Sequence, residues 1–465
     1  MAHSEKDALD RRDLQRICDG LETYAMPDPK AIMERLRAHK EDALCTVSNY
    51  SGNGDIMCTR DGYNAIIQLA ERHQESLPVP DDYSIDELVQ GIRKHVVRTI
   101  VDQDDDNAVA YLLSEATNEA RKNHVQRTYH FPCVVVTFEE PAQFRIGAVT
   151  FTAAKSFPSA FQQELQLYVK ENSGKKDEKY ANERVQKFQE YLSSFGWLAT
   201  VCVPPCAEAV SKRRAESAVT TAINLLRLIF GVHYGRDMRV AHTAFTQPLQ
   251  TEYAVTKDGK FDLRWTRTFS GALVEKDWYL QMQNWQGFWN LANHLLETTV
   301  AGKRSEISAR VEDALTWFGE SAFEDTPGKR IVNFVAALER LTTTESFSTH
   351  KFCSRVAMLA YEDEKEFEKT YWDAYAVHNA RSGVIHGGYS PRSRSFREHV
   401  RTAHDLTRTA LFRGLEVHCY LDDAGKLSSL DDLQNFFSRQ HSKWAPVLKK
   451  LEAELKIKKR TIKFL

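Results

Sequence analysis

The stretch Arg381-Ser382-Gly383-Val384-Ile385-His386-Gly387-Gly388 decides how the chain is read. It closes a strongly helical run over 363–385, in which Phe367, Tyr371, Ala374, Tyr375, His378, Arg381 and Ile385 recur at the spacing of a buried helical stripe. A histidine and an arginine therefore stand where the pattern calls for core residues. Arginine is almost never fully buried unless paired, because desolvating its charge costs several kcal/mol. Gly387 and Gly388 predict a helix stop, reinforced by Pro391. His386 then falls in the last turn. Positions five apart diverge by about 140° on a straight helix, but at a helix end both side chains can turn toward one cleft.

Working outward, helical periodicity runs from 277 onward: 278–300, 303–318, 329–341, 349–361, 364–385 and 395–420. This predicts an all-α bundle over 301–425, followed by a basic helical tail over 426–465. Residues 1–127 also read mostly helical, over 7–18, 29–44 and 59–74. Ser84-Ile85-Asp86-Glu87 is a capping box that opens a helix through Ile100. The acidic run over 102–106 reads as a solvated cap of a helix over 108–122 rather than a metal site. Between 128 and 300 the texture is mixed. Strands are expected over 131–138 and 144–152, joined as a hairpin through 139–143. A charged helix over 160–192, a strand over 196–203 and a helix over 207–230 follow. Further strands are expected over 239–245, 252–255 and 261–269, with an Asp-Gly turn between the last two. The fold class is α+β, and the irregular order argues against a doubly wound nucleotide fold.

At 465 residues, with 42% apolar residues and a net charge of −2, the chain is expected to form two to three globular domains, and its overall charge names no partner. Eight cysteines scattered through such a length suggest a reducing compartment rather than a disulfide framework. The first residues lack an apolar signal segment. No apolar run approaches the roughly 18–20 residues that span a bilayer, so a cytoplasmic location and no membrane partner are expected. There is no Gly-rich phosphate loop, no His-Glu-x-x-His, no paired Cys-x-x-Cys and no nucleophile elbow. Cys202 and Cys206 lack neighbouring histidines. No cofactor and no metal ligand set are expected.

On residue physics alone, Arg381 and His386 have two readings of equal weight. In one, Arg381 pairs with Glu339 or another acid and His386 is a helix-end residue favoured by the dipole. In the other, the pair is functional. The motif Y-x5-R-S-x-V-I-H-G-G, ending in His386-Gly387-Gly388, resembles the signature of HEPN domains, in particular the Apea-like branch. Ala337-Leu338-Glu339-Arg340-Leu341 is similar to an early helix of that branch, 354–359 matches its second helix loosely, and 314–318 resembles a helix that often precedes it. The resemblance covers roughly 303–420. It implies a metal-independent endoribonuclease, acting as a toxin or antiphage effector, with its cleft completed by a second copy of the domain. Arg381 and His386 would be catalytic, Glu339 would orient one of them, and Ser382 follows the arginine as is usual in this branch.

The chemistry suits these residue types. RNA carries its own nucleophile, the 2′-OH, so cleavage needs a proton-transfer group near neutral pH and a fixed cation for the phosphate, which His and Arg supply. His378 and Asn379 precede the motif by about one turn and are candidate RNA contacts with Ser382. Arg397, Arg401, His404 and Arg408 recur on one face of the next helix and are expected to track an RNA backbone beside Arg381, or to form a solvated face. The aromatics Phe367, Tyr371, Trp372 and Tyr375 suggest a homodimer through this helix. Residues 1–300 are assigned to sensing or regulation, with a protein trigger or antidote as a possible partner. The alternative is a non-catalytic HEPN-like module for dimerisation and RNA or protein binding.

Overall fold

A computed structural model describes residues 2–22, 43–48, 55–102, 105–136, 140–153, 195–240, 249–255, 261–267, 278–344, 348–360, 363–422 and 428–462, with isolated positions between 156 and 191. The chain forms two compact units, one of residues 1–127 with 203–214 and the other of 128–202 with 215–465.

The first unit holds helix α1 (Ala2–Glu22), a hairpin of β1 (Ala43–Ser48) and β2 (Asp55–Thr59), and helices α2 (Arg60–Glu75), α3 (Ile85–Asp102) and α4 (Asp105–Lys122). Its core joins Ile17 of α1, Ile66 and Leu69 of α2, Leu88 and Ile92 of α3 and Leu112 of α4. The expected helix over 29–44 lies outside the described residues apart from its last two, which begin β1. The cap of α3 forms as expected on its serine side, with Ser84 Oγ accepting from Glu87 N at 3.2 Å. The Glu87 carboxylate does not return to Ser84; it faces His124 at 3.2 Å. A buried charge network ties α1 to α2: Asp13 accepts from Arg72 at 2.5 Å and from Arg16 at 2.8 Å.

The second unit carries a sheet in the order β4-β5-β6-β3-β7, made of β3 (Val125–Val134), β4 (Gln143–Ile146), β5 (Val149–Ala153), β6 (Trp197–Cys206) and β7 (Arg239–Val240). The strand expected over 144–152 is two strands. Gly147, at φ 52°, reverses the chain between Ile146 and Val149; β4 turns alternate residues inward, whereas β5 is buried on both faces at Phe151, Thr152 and Ala153. Strands β3 and β4 are not neighbours, so the hairpin expected through 139–143 is corrected to this tighter one. Phe144 packs on Phe151, Trp197 and Trp278 with ring centroids 4.8, 5.3 and 5.3 Å apart. The expected helix over 160–192 lies almost wholly outside the described residues, as does the Asp-Gly turn. The strands flanking that turn, β8 (Leu249–Val255) and β9 (Phe261–Arg267), pair antiparallel with Val255 opposite Phe261.

Helix α5 (Glu208–Phe230) is followed by α6 (Trp278–Gln283), α7 (Gln286–Ala301), α8 (Glu306–Glu320), α9 (Pro327–Thr342), α10 (Thr349–Ala360), α11 (Glu364–Ile385), α12 (Arg397–Asp422) and α13 (Leu430–Ile462). The described chain is thus mostly helical with a small antiparallel sheet, an α+β layout. Helix α9 packs against α8, α11 and α12, and α10 against α11 and α13. The basic tail expected over 426–465 holds one continuous helix, α13, which contains Pro446, and its Trp444, Leu448, Leu451 and Leu455 are buried. No described helix is long and apolar enough to cross a membrane.

Candidate functional site

Helix α11 starts on Asp363, whose side chain accepts from the amides of Lys365 and Glu366 at 3.0 and 3.3 Å. Its buried face is Phe367, Thr370, Tyr371, Ala374, Val377 and Ala380. The expected stripe therefore holds for its first half. It then runs through Val377 and Ala380, leaving His378 and Arg381 half-buried at its edge and Ile385 47% exposed. The His378 ring lies 5.2 Å from that of Phe352, and Asn379 is exposed.

The aromatics read as a dimer face are covered largely by this chain itself. Phe367 stacks on Trp444 of α13 at 4.3 Å, and the Tyr371 hydroxyl meets His350 at 2.8 Å. Only Trp372 and Tyr375 stay half-buried, in edge contact at 5.8 Å.

The helix ends as its glycines predict. His386 is the last helical cap, its amide donating to the Ser382 carbonyl at 3.0 Å, and Gly387 takes the left-handed conformation at φ 74°. The chain then folds back. Tyr389 N donates to Gly383 O at 3.0 Å, and the Tyr389 ring lies against Gly383 so closely that a Cβ there would sit 2.2 Å from it. Gly328 at the start of α9 donates to Pro391 O at 2.9 Å, which locks the turn onto the bundle. His386 stands exposed on this turn, and Arg392, Arg394 and Arg397 are exposed just beyond it.

Arg381 is held differently. Its Nη2 lies 3.5 Å from Glu339 Oε2, with the two side chains 28% and 24% exposed, and its buried Nε has no hydrogen-bond partner. Burial pushes the Glu339 carboxyl above its ordinary range, and the Arg381 charge opposes that rise. The start of α9 meets Val384, through Gly328. Glu339 lies eleven residues further along α9, about 16 Å at 1.5 Å per residue. The guanidinium therefore reaches back along α11, as helical side chains do, while His386 sits beyond the helix end. The structure brings Arg381 to Glu339 and sets His386 at the C-cap of α11.

The basic stripe on α12 also divides. Arg397 and Arg401 are exposed. His404 packs its ring 5.7 Å from Phe318 and 5.8 Å from Phe334. Arg408 donates to the carbonyls of Leu228 and Ile229 at 2.8 and 2.9 Å, closing the C-terminal end of α5, and burial lowers its pKa. Of the four stripe residues, Arg397 and Arg401 are thus open to solvent, while His404 and Arg408 are engaged in packing and capping. Sequence reasoning passed over one further group, His294, His418 and Asp422, whose members are 124 and four residues apart in the chain. Only the His-x3-Asp spacing on one helix face hinted at it. No protein-family profile, no curated protein and no solved structure matches this chain.

Proposed function

We propose that residues 303–420 form a HEPN-like bundle acting as a metal-independent endoribonuclease, a toxin or antiphage effector that cuts cellular RNA. The observation that carries this reading is the helix end itself. A histidine free for proton transfer caps α11 on a folded-back turn, one turn beyond a half-buried arginine, with exposed Arg392, Arg394, Arg397 and Arg401 alongside. His386 transfers protons to and from the 2′-OH and the leaving 5′-oxygen, and Arg381 holds the phosphate. The family resemblance implies a cleft completed across a homodimer, so that each copy contributes to the catalytic pair. Residues 1–300 sense a trigger or bind an antidote.

A second reading, a non-catalytic module that binds RNA or protein, is favoured by the Arg381–Glu339 pair, which occupies the arginine as a structural ion pair. Incubating wild type, His386→Ala and Arg381→Ala with total RNA in chelator separates the two. The proposal expects cleavage by wild type with 2′,3′-cyclic phosphate ends. Both variants should lose roughly 10²–10⁴-fold in rate, and only wild type should arrest growth on expression. If His386→Ala cleaves or arrests growth like wild type, the second reading takes its place.

A further inference from the structure

At the far end of α12, about 37 Å by helix rise from Arg397, α12 meets α7 in a cluster that plays no part in the reaction above. His294 of α7 and His418 and Asp422 of α12 offer ligand atoms that all lie within 4.8 Å of one another. Asp422 Oδ2 is 3.3 Å from His418 Nδ1 and 3.9 Å from His294 Nε2. The two imidazoles tilt 37° to each other with centroids 5.3 Å apart. The His418 side chain is 0% exposed and Asp422 6%. Neither ring nitrogen of His418, nor His294 Nε2, has a hydrogen-bond partner.

A fully buried imidazole with both nitrogens unsatisfied is costly, and natural structures rarely leave one so. A protonated His418 facing Asp422 would be one solution. A metal ion bound by the neutral imidazole is the other, and it would also engage the unpartnered His294 Nε2. The carboxylate is fixed from behind. Asp422 Oδ1 accepts from the Ser428 amide at 3.1 Å and from the Ser428 hydroxyl, whose oxygen lies 3.1 Å from Ser305 Oγ. This is the outer support that orients a metal-binding carboxylate, and it leaves Oδ2 to face both rings.

We propose that His294, His418 and Asp422 bind one divalent transition-metal ion, zinc in the first instance, and that it links α7 to the C-terminal end of α12. With bonds of about 2.0–2.2 Å, tetrahedral ligand atoms sit about 3.3–3.5 Å apart. The 3.3 Å edge already meets that spacing, and the wider edges, none above 4.8 Å, close by movement of the His294 ring, which is 41% exposed. Two imidazoles and one carboxylate suit zinc and its neighbours rather than magnesium or calcium. Water completes the coordination.

The test uses full-length protein without a histidine tag, stripped with chelator, dialysed against Zn²⁺ and desalted. Elemental analysis should find about one zinc per wild-type chain, and less than a tenth of that attributable to this site in His294→Ala and Asp422→Asn. Zn²⁺ should raise the Tm of wild type and leave that of the variants unchanged. Co²⁺ should give ligand-field absorption in wild type alone. These variants avoid the buried His418, and circular dichroism of each confirms that it folds. Wild type that retains no zinc, or variants that retain wild-type zinc with the same Tm response, would show a structural ion pair only and overturn the proposal. RNA cleavage is not a readout, so this proposal and the ribonuclease reading fail independently.

Discussion

Arg381 Nη2 lies 3.5 Å from Glu339 Oε2, joining the end of α11 to the later half of α9. The relationship has a pH signature. Burial raises the Glu339 carboxyl above its ordinary 4.5, so the folded state holds this proton more tightly than the unfolded one. A raised acid pKa contributes stability below the unfolded value, and that contribution is lost as pH rises through the folded value. Wild type should therefore lose stability relative to Glu339→Gln as pH rises above about 4.5, read from urea unfolding across that range. Arg381→Gln should steepen the loss, because the cation that opposes the rise is gone. Glu339→Gln should also slow RNA cleavage about tenfold, since the guanidinium loses its positioning partner.

The turn that presents His386 depends on two glycines. Gly387→Ala places a Cβ on a backbone at φ 74° and should cost about 1–2 kcal/mol in chemical denaturation. Gly383→Ala meets the Tyr389 ring at 2.2 Å and should displace it, cutting cleavage while α11 stays helical by circular dichroism. Adding Tyr389→Ala to Gly383→Ala should restore much of the lost stability. A double variant no better than Gly383→Ala would show that the ring contact does not govern this turn.

The arginines of α12 should separate by readout. Arg408→Ala strands the Leu228 and Ile229 carbonyls and should cost about 1–3 kcal/mol in thermal unfolding. Arg397→Ala and Arg401→Ala remove exposed charges and should move stability by less than about 0.5 kcal/mol. In RNA titrations at two salt concentrations, each of those two should weaken binding and lower the salt slope by about 1. An unchanged slope would make them a solvated face only.

In the first unit, hydrogen bonds from Lys122 and Lys94 hold the Glu119 carboxyl down at about 2 rather than its ordinary 4.5. A depressed acid pKa contributes stability above the unfolded value, lost as pH falls through the folded one. Amide exchange in α3 and α4 should speed up as pH drops from about 4.5 toward about 2, after correction for intrinsic rates. Glu119→Gln should weaken that dependence.

The sequence by itself determined the local features of this protein. The helix over 364–385, its stop at Gly387 and the serine cap of α3 are written in residues within one or two turns of each other, where capping and left-handed backbone act. The aliphatic spacing also named α8 to α12, because a bundle helix must show its core face as a 3.6-residue period. Periodicity does not say which of two adjacent edge positions goes inward. That is why the stripe was read through His378 and Arg381, whereas packing chose Val377 and Ala380. Only the tertiary structure decided the rest, since a side chain's role depends on partners far along the chain. Arg408 caps a helix end 180 residues away, a role that its place in a basic stripe does not announce. Trp444 covered an aromatic that looked available to a second copy. His294 met His418 and Asp422 because α7 packs against α12, a contact that no local spacing encodes.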